Sequence, residues 1–186
     1  MKAISSLSRF ALLLGLTAAG SLFAADKAAA TDKAAAVDSR VTVVFDHPEK
    51  YTDIKDYDFD SDNERGRKHF LPMLKEHIEK EAVRLLAPGQ KLTVTFTDID
   101  LAGDFEPWRG PQLSDVRIVK SIYPPRMNFS FKITDENDKV IKEGEQKLVD
   151  LAYQMRITRS FNDDVLRYEK DMFSDWLRGE LKPRKR

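Results

Sequence analysis

Met127 to Leu151 reads MNFSFKITDENDKVIKEGEQKLVDL, and this stretch decides the fold. Met127, Phe129, Phe131 and Ile133 alternate with Asn128, Ser130 and Lys132. That period of two is the mark of a strand with one buried face. Asp135-Glu136-Asn137-Asp138 follows, and its short polar side chains can accept backbone N–H groups in a tight turn. Val140 to Leu151 then returns as the second arm of an antiparallel hairpin, with Gly144 a bulge or a point of close packing.

Upstream, Leu92, Val94 and Phe96 alternate with Thr93, Thr95 and Thr97 in another strand. Val41, Val43 and Phe45 predict a further strand, stopped at His47-Pro48. Between them Phe70, Leu74, Ile78, Ala82 and Leu85 recur every three or four residues, giving one apolar stripe of a helix that runs to Leu86. Ser61-Asp62-Asn63-Glu64 fits a capping box at its start. Pro72 implies that the helix begins near Leu71 or bends there, and Pro88-Gly89 ends it. A third strand starts at Val116, is interrupted at Pro124-Pro125, and resumes at Met127. Ser160 opens a second helix with Val165, Leu166, Met172, Phe173, Trp176, Leu177 and Leu181 on its apolar face. The order β-α-β-β-β-α predicts an α+β fold. It is a two-layer sandwich of a mainly antiparallel sheet of about four strands and two amphipathic helices on one face.

The N-terminus addresses the chain rather than folding it. Lys2 and Arg9 precede the short apolar run Phe10 to Ala19 and the small-residue end Leu22-Phe23-Ala24-Ala25, so residues 1–24 read as a cleavable secretory signal. Residues 25–39 repeat DKAAA from Asp26 and from Asp32 and read as a low-complexity spacer. Residues 40–181 form the folded domain, and 182–186, KPRKR, a basic tail. The chain has 31 basic and 31 acidic residues, and loss of Lys2 and Arg9 leaves a slight acidic excess, which argues against nucleic acid as a partner. No later segment suits a membrane span, so no stable membrane insertion is expected once the signal is cleaved. Cysteine is absent, which excludes disulfides, thiol catalysis and a lipid-anchored N-terminal cysteine. Three scattered histidines make no zinc cluster. The expected location is the periplasm.

The densest polar cluster runs from Thr97 to Arg109, TDIDLAGDFEPWR. Unbroken alternation would turn Asp98 and Asp100 into the apolar face, at a large desolvation cost. The strand therefore ends or bulges near Thr97, or the acids meet Arg109, Arg117 or Arg126. Read as a calcium loop from Asp98, the segment offers Ala102 at the fifth position and Arg109 at the twelfth, where a bidentate Glu is needed. No metal and no cofactor is expected. Serine-elbow, zinc-protease and phosphate-loop motifs are missing. Trp108, between Pro107 and Arg109, either serves recognition or folds back over one end of the core. The binding candidates are Asp98, Asp100, Asp104, Glu106, Trp108 and Arg109. The leading function is a non-enzymatic module that binds an envelope protein or a small ligand through the loop 102–114. The alternative is a hydrolase or metal-dependent enzyme using the acids of 98–106. Surface binding through 182–186 is a weaker third reading.

The linked motifs Pro88-Gly89-Gln90, Thr97 to Gly103, Phe105 to Arg109, Asp115-Val116-Arg117-Ile118, Pro124-Pro125-Arg126, Tyr168-Glu169-Lys170 and Asp175-Trp176 occur in that order. Together with Val41 to Phe45, Pro48 and Lys50 to Asp53 they resemble the bacterial family called domain of unknown function 3016. The resemblance covers roughly residues 40 to 181. It implies an exported Gram-negative protein and carries no catalytic residue.

Overall fold

The computed structural model describes residues 40–60, 63–155 and 163–181. The strands are β1 (Val41–Phe45), β2 (Lys91–Asp100), β3 (Asp104–Phe105), β4 (Arg117–Ile118), β5 (Arg126–Thr134) and β6 (Val140–Val149). The helices are α1 (Glu64–Leu85) and α2 (Arg167–Leu181). Four strands form one sheet in the order β1-β2-β5-β6. β1 and β2 are parallel, and α1 makes the crossover that parallel neighbours require. The pairs β2–β5 and β5–β6 are antiparallel. The main sheet and its helices thus follow the expected β-α-β-β-β-α order. One expectation is corrected: the segment after Val116 does not run on into β5. Arg117–Ile118 pairs instead with Asp104–Phe105 in a separate two-stranded ladder.

Period-two alternation puts Val41, Val43, Leu92, Val94, Phe96, Met127, Phe129, Phe131 and Ile133 on one sheet face, all buried. The helices supply the opposing stripe through Phe70, Leu74, Ile78, Ala82, Phe173 and Leu177. Phe96, Phe129 and Phe173 meet at centroid separations of 5.3–5.8 Å, and Trp176 stands edge-on to Phe129 at 4.7 Å. Burying each such ring contributes about 1.5–3 kcal/mol. A Cβ on Gly144 would lie 3.2 Å from the Phe131 ring opposite, so this glycine is a close-packing point. The bulge in that ladder falls elsewhere, between Ile133 and Thr134.

Helix α1 starts at Glu64 rather than near Leu71, and Pro72 lies inside it on an exposed position. Proline has no N–H, so the Lys68 carbonyl forgoes its intrahelical bond on the solvent side. Ser61 of the expected capping box lies outside the described residues. Asp60 caps the helix, its carboxylate accepting the N–H groups of Arg65 (2.9 Å) and Gly66 (2.8 Å). Those bonds hold its carboxyl below the ordinary range against the opposing effect of burial. Gly66 is required here: a Cβ would sit 1.5 Å from the Ile54 carbonyl oxygen, where the 51–60 loop crosses the helix. Ser160 also lies outside the described residues. Helix α2 begins at Arg167, after Asp164 has accepted the Leu166 N–H at 3.0 Å. Val165 is exposed rather than part of the apolar face. Among the described residues no helix is long and apolar enough to cross a membrane.

Candidate functional site

The site begins where β2 breaks its own phase. Phe96 pairs with Phe129, but the next partners are Asp98 and Asn128, so Thr97 is the extra residue of a bulge. The shift returns Ile99 to the core and sends Asp98 and Asp100 to the other face. The conflict between acids and apolar alternation is thereby relieved.

The outward acids then meet the loop that follows β1. Asp98 accepts the Thr52 N–H at 2.7 Å and the Thr52 hydroxyl at 2.9 Å. Asp53 bridges to Asp100: its N–H donates to the Ile99 carbonyl, and its own carbonyl accepts the Leu101 N–H. Asp100 is left half-buried, with the Arg126 guanidinium 3.7 Å away. Burial, and then the neighbouring Asp53 charge, push its carboxyl up to about 6, against the pull of Arg126.

Arg117 is the tie of this end of the molecule. Its guanidinium meets both Asp53 oxygens at 2.8 and 3.1 Å. It also donates to the carbonyls of Gly103 and Lys55 and lies 4.7 Å over the Phe105 ring. One side chain thus joins β4, the 103–105 segment and the 53–55 loop. Gly103 turns the chain at φ 82°, and a Cβ there would approach the Ile118 carbonyl to 2.8 Å. Asp104 accepts its neighbour's N–H, that of Phe105, at 2.8 Å. A shallow polar cleft of about 320 Å³ lies between these loops, with Asp53, Asp100, Asp104, Tyr123 and Arg126 on its walls.

Glu106 is buried beneath the next turn, with 2% of its surface exposed. It accepts from the Lys120 ammonium at 2.5 and 2.7 Å, from the Tyr123 hydroxyl at 3.0 Å and from Arg109 Nε. The Lys120 contact above all, aided by Arg109 and Tyr123, brings its carboxyl down to about 2. Above this anchor, Pro107–Arg109 makes one 3-10 turn, and Trp108 projects from it with 72% of its surface exposed. Trp108 does not fold back over the core. Val116, Val119 and Ile122 are exposed further along the same segment. The turn after β6 docks beside them, with the Tyr153 hydroxyl donating to the Lys120 carbonyl and Gln154 to that of Val119. It brings the exposed Leu151 and Met155 to the same end.

The six predicted site residues therefore divide. Asp98 fastens the distant Thr52 turn, Asp104 holds its neighbour's N–H at the cleft wall, Glu106 and Arg109 form the anchor, Asp100 faces the cleft, and Trp108 faces solvent. Arg126 is the arginine near Asp100; Arg109 and Arg117 serve other acids. Asp53, Lys120 and Tyr123 are not among the sequence-predicted site residues, because each meets its partner through pairings that no local spacing announces. Among the described residues no group of three or more potential ligands is placed to hold a metal ion.

The family model described as protein of unknown function (DUF3016) matches residues 39–179. The chain belongs to the DUF3016 family. No curated protein and no solved structure matches it. In this DUF3016 domain Glu169 is wholly buried on α2, and one carboxyl oxygen accepts the Ala102 N–H at 2.6 Å. Burial raises its pKa, so it favours the neutral acid. It fastens the start of the site loop to the second helix.

Proposed function

We propose that the chain is an exported, periplasmic and non-enzymatic binding module that presents Trp108 on the Ala102–Ser114 loop to a protein of the cell envelope. The reading divides the chain into a cleaved signal (1–24), a spacer (25–39), the binding domain (40–181) and a basic tail (182–186). Export is supported by the n-region, h-region and small-residue end of 1–24, and without cysteine no lipid anchor can be attached.

One observation carries the binding reading: a tryptophan exposed to 72% stands on a turn anchored from below by a buried, triply satisfied glutamate. A large aromatic costs little entropy to immobilise when its backbone is already held, which is what an interface anchor requires. Val116, Val119, Ile122, Leu151 and Met155 are also exposed on the segments that follow and dock beside this turn. An exposed aromatic anchor suits a protein partner better than a small ligand, which favours a concave, mostly apolar site. Support for the hydrolytic alternative is thin, since Asp98, Asp104 and Glu106 are each committed to structural bonds.

The test is photocrosslinking in intact cells. A photoreactive aromatic residue replaces Trp108, a change expected to move stability by less than about 0.5 kcal/mol at a surface site. The same residue at Phe59, equally exposed on a different loop, serves as control. A discrete adduct from position 108 and none from position 59 is the expected result. Equal labelling from both positions, or a mature protein whose N-terminus still begins at Met1, would remove the proposal.

A further inference from the structure

The sheet ends on a long strand that the described residues leave unpaired. β6 is ten residues long, hydrogen-bonds to β5 on one side, and has no strand partner on the other. Such an edge offers a row of free backbone groups to another strand. The opposite edge, β1, has only five residues. Along β6, Glu143, Glu145 and Lys147 share the outer sheet face and are exposed, flanked by Ile141 at 52% and Val149 at 49% exposure. Lys142, on the inner side, is tied to Glu180 of α2, so the start of the strand is fixed to its own helix layer.

We infer that β6 is a self-association edge, pairing antiparallel with β6 of a second copy about a two-fold axis through Glu145. The occupant follows from charge. A two-fold that joins sheets edge to edge stands perpendicular to them, so facing residues come from the same sheet face and the axis passes through a residue. An axis at Gly144 sets Glu143 against Glu145 twice, pairing like charges. An axis at Gln146 sets Glu145 against Lys147, but buries Glu143 against Val149 and leaves Ile141 beyond the paired region. With the axis at Glu145, Glu143 of each copy faces Lys147 of the other. Ile141 approaches Val149 of the second copy. The paired length equals that with the axis at Gly144 and exceeds that with the axis at Gln146, so charge decides between Glu145 and Gly144. Opposite-charge cross-strand pairs stabilise an antiparallel ladder, and like charges weaken it. Glu143 already has Lys132 of its own copy at 3.5 Å, an exposed contact that leaves room for a second cation. The two Glu145 side chains meet at the axis and are the one repulsive pair, so the association is reversible and moderate. The surface lies on the strand edge and is independent of Trp108.

The test is sedimentation equilibrium on the mature chain and on four variants. The wild type is expected to dimerise. Lys147→Glu sets Glu against Glu at both pairs and should weaken the dimer by about tenfold or more. The charge-swapped Glu143→Lys/Lys147→Glu chain should recover the wild-type constant, and Glu145→Gln should tighten it. Circular dichroism of each variant shows that the fold is kept. A wild type that stays monomeric across the concentration range overturns the inference. So does a Lys147→Glu dimer as tight as the wild type, or rescue by Glu145→Lys in place of Glu143→Lys.

Discussion

The helix–sheet layer and the loop end of this molecule are held by different forces. In the layer, Phe96, Phe129, Phe173 and their neighbours are excluded from water, and the stabilisation is apolar and spread over many contacts. At the loop end a few polar side chains carry the load: Arg117 joins three segments, Glu106 gathers Lys120, Tyr123 and Arg109, and Asp98 fastens the Thr52 turn. Apolar burial is non-directional and tolerates variation, whereas a polar tie is local and fails when one partner goes. The loop end can therefore leave apolar side chains outward without losing its shape.

The largest expected effect lies in the layer. Phe129→Ala removes a ring that packs against Phe96, Phe173 and Trp176 and should cost about 3–5 kcal/mol in a urea titration. A loss below about 1 kcal/mol would mean that the layer closes over the gap and is not tightly packed. Next is the loop end. Arg117→Ala leaves the Asp53 carboxylate and two carbonyls without their donor in a largely buried place. It should cost about 2–4 kcal/mol, near the range for breaking a buried pair. Asp53→Asn should cost less. If Arg117→Ala cost no more than a surface substitution, the loop end would be held by its apolar contacts after all.

What the sequence disclosed follows the same division. The strands around Leu92–Phe96 and Met127–Ile133, and the stripe of α1, were legible because apolar burial repeats with the period of the backbone. Even the bulge near Thr97 was foreshadowed, since Asp98 and Asp100 broke that period. The ties were not legible. Arg117 lies 64 residues from Asp53 and Glu169 lies 67 from Ala102, and no period connects them. The capping role of Asp60 was not legible either, because it depends on the turn at Asn63, with φ 55°, that brings the earlier carboxylate under the first N–H groups. The chain at Val116–Pro125 looked like the start of β5 because a two-residue ladder is too short to show its own alternation. Trp108 allowed both burial and exposure on composition alone, and only the anchor beneath it decides for exposure.

A smaller effect distinguishes the acids from one another. The Asp100 carboxyl is protonated in both folded and unfolded chains below about pH 4. Between about 4 and the folded value of about 6, the folded chain keeps a proton that the unfolded chain releases. Stability therefore falls as pH rises through that window, and neutral pH carries the full cost. Asp100→Asn should raise stability at pH 7 by about 1 kcal/mol and flatten the melting curve between pH 4 and 6. Asp98→Asn should instead lower the Tm at pH 7, because a neutral amide presents one oxygen where the carboxylate offers a separate charged oxygen to each Thr52 donor. A drop for both variants would show Asp100 to be a structural tie like the others. Glu106 has the opposite sign: its contribution is complete above about pH 4.5 and is lost as pH falls through about 2.

The central claim is that Trp108 is exposed and yet held in place. Fluorescence of the Trp176→Phe chain reports on Trp108 alone, since the protein has two tryptophans. The expected result at neutral pH is red-shifted emission, ready quenching by acrylamide, and an anisotropy close to that of the whole molecule. The same chain carrying Glu106→Gln should keep the emission wavelength and lose anisotropy as the turn loosens. Blue-shifted, poorly quenched emission from the Glu106 chain would place Trp108 in the core and contradict the account, as would low anisotropy that Glu106→Gln leaves unchanged.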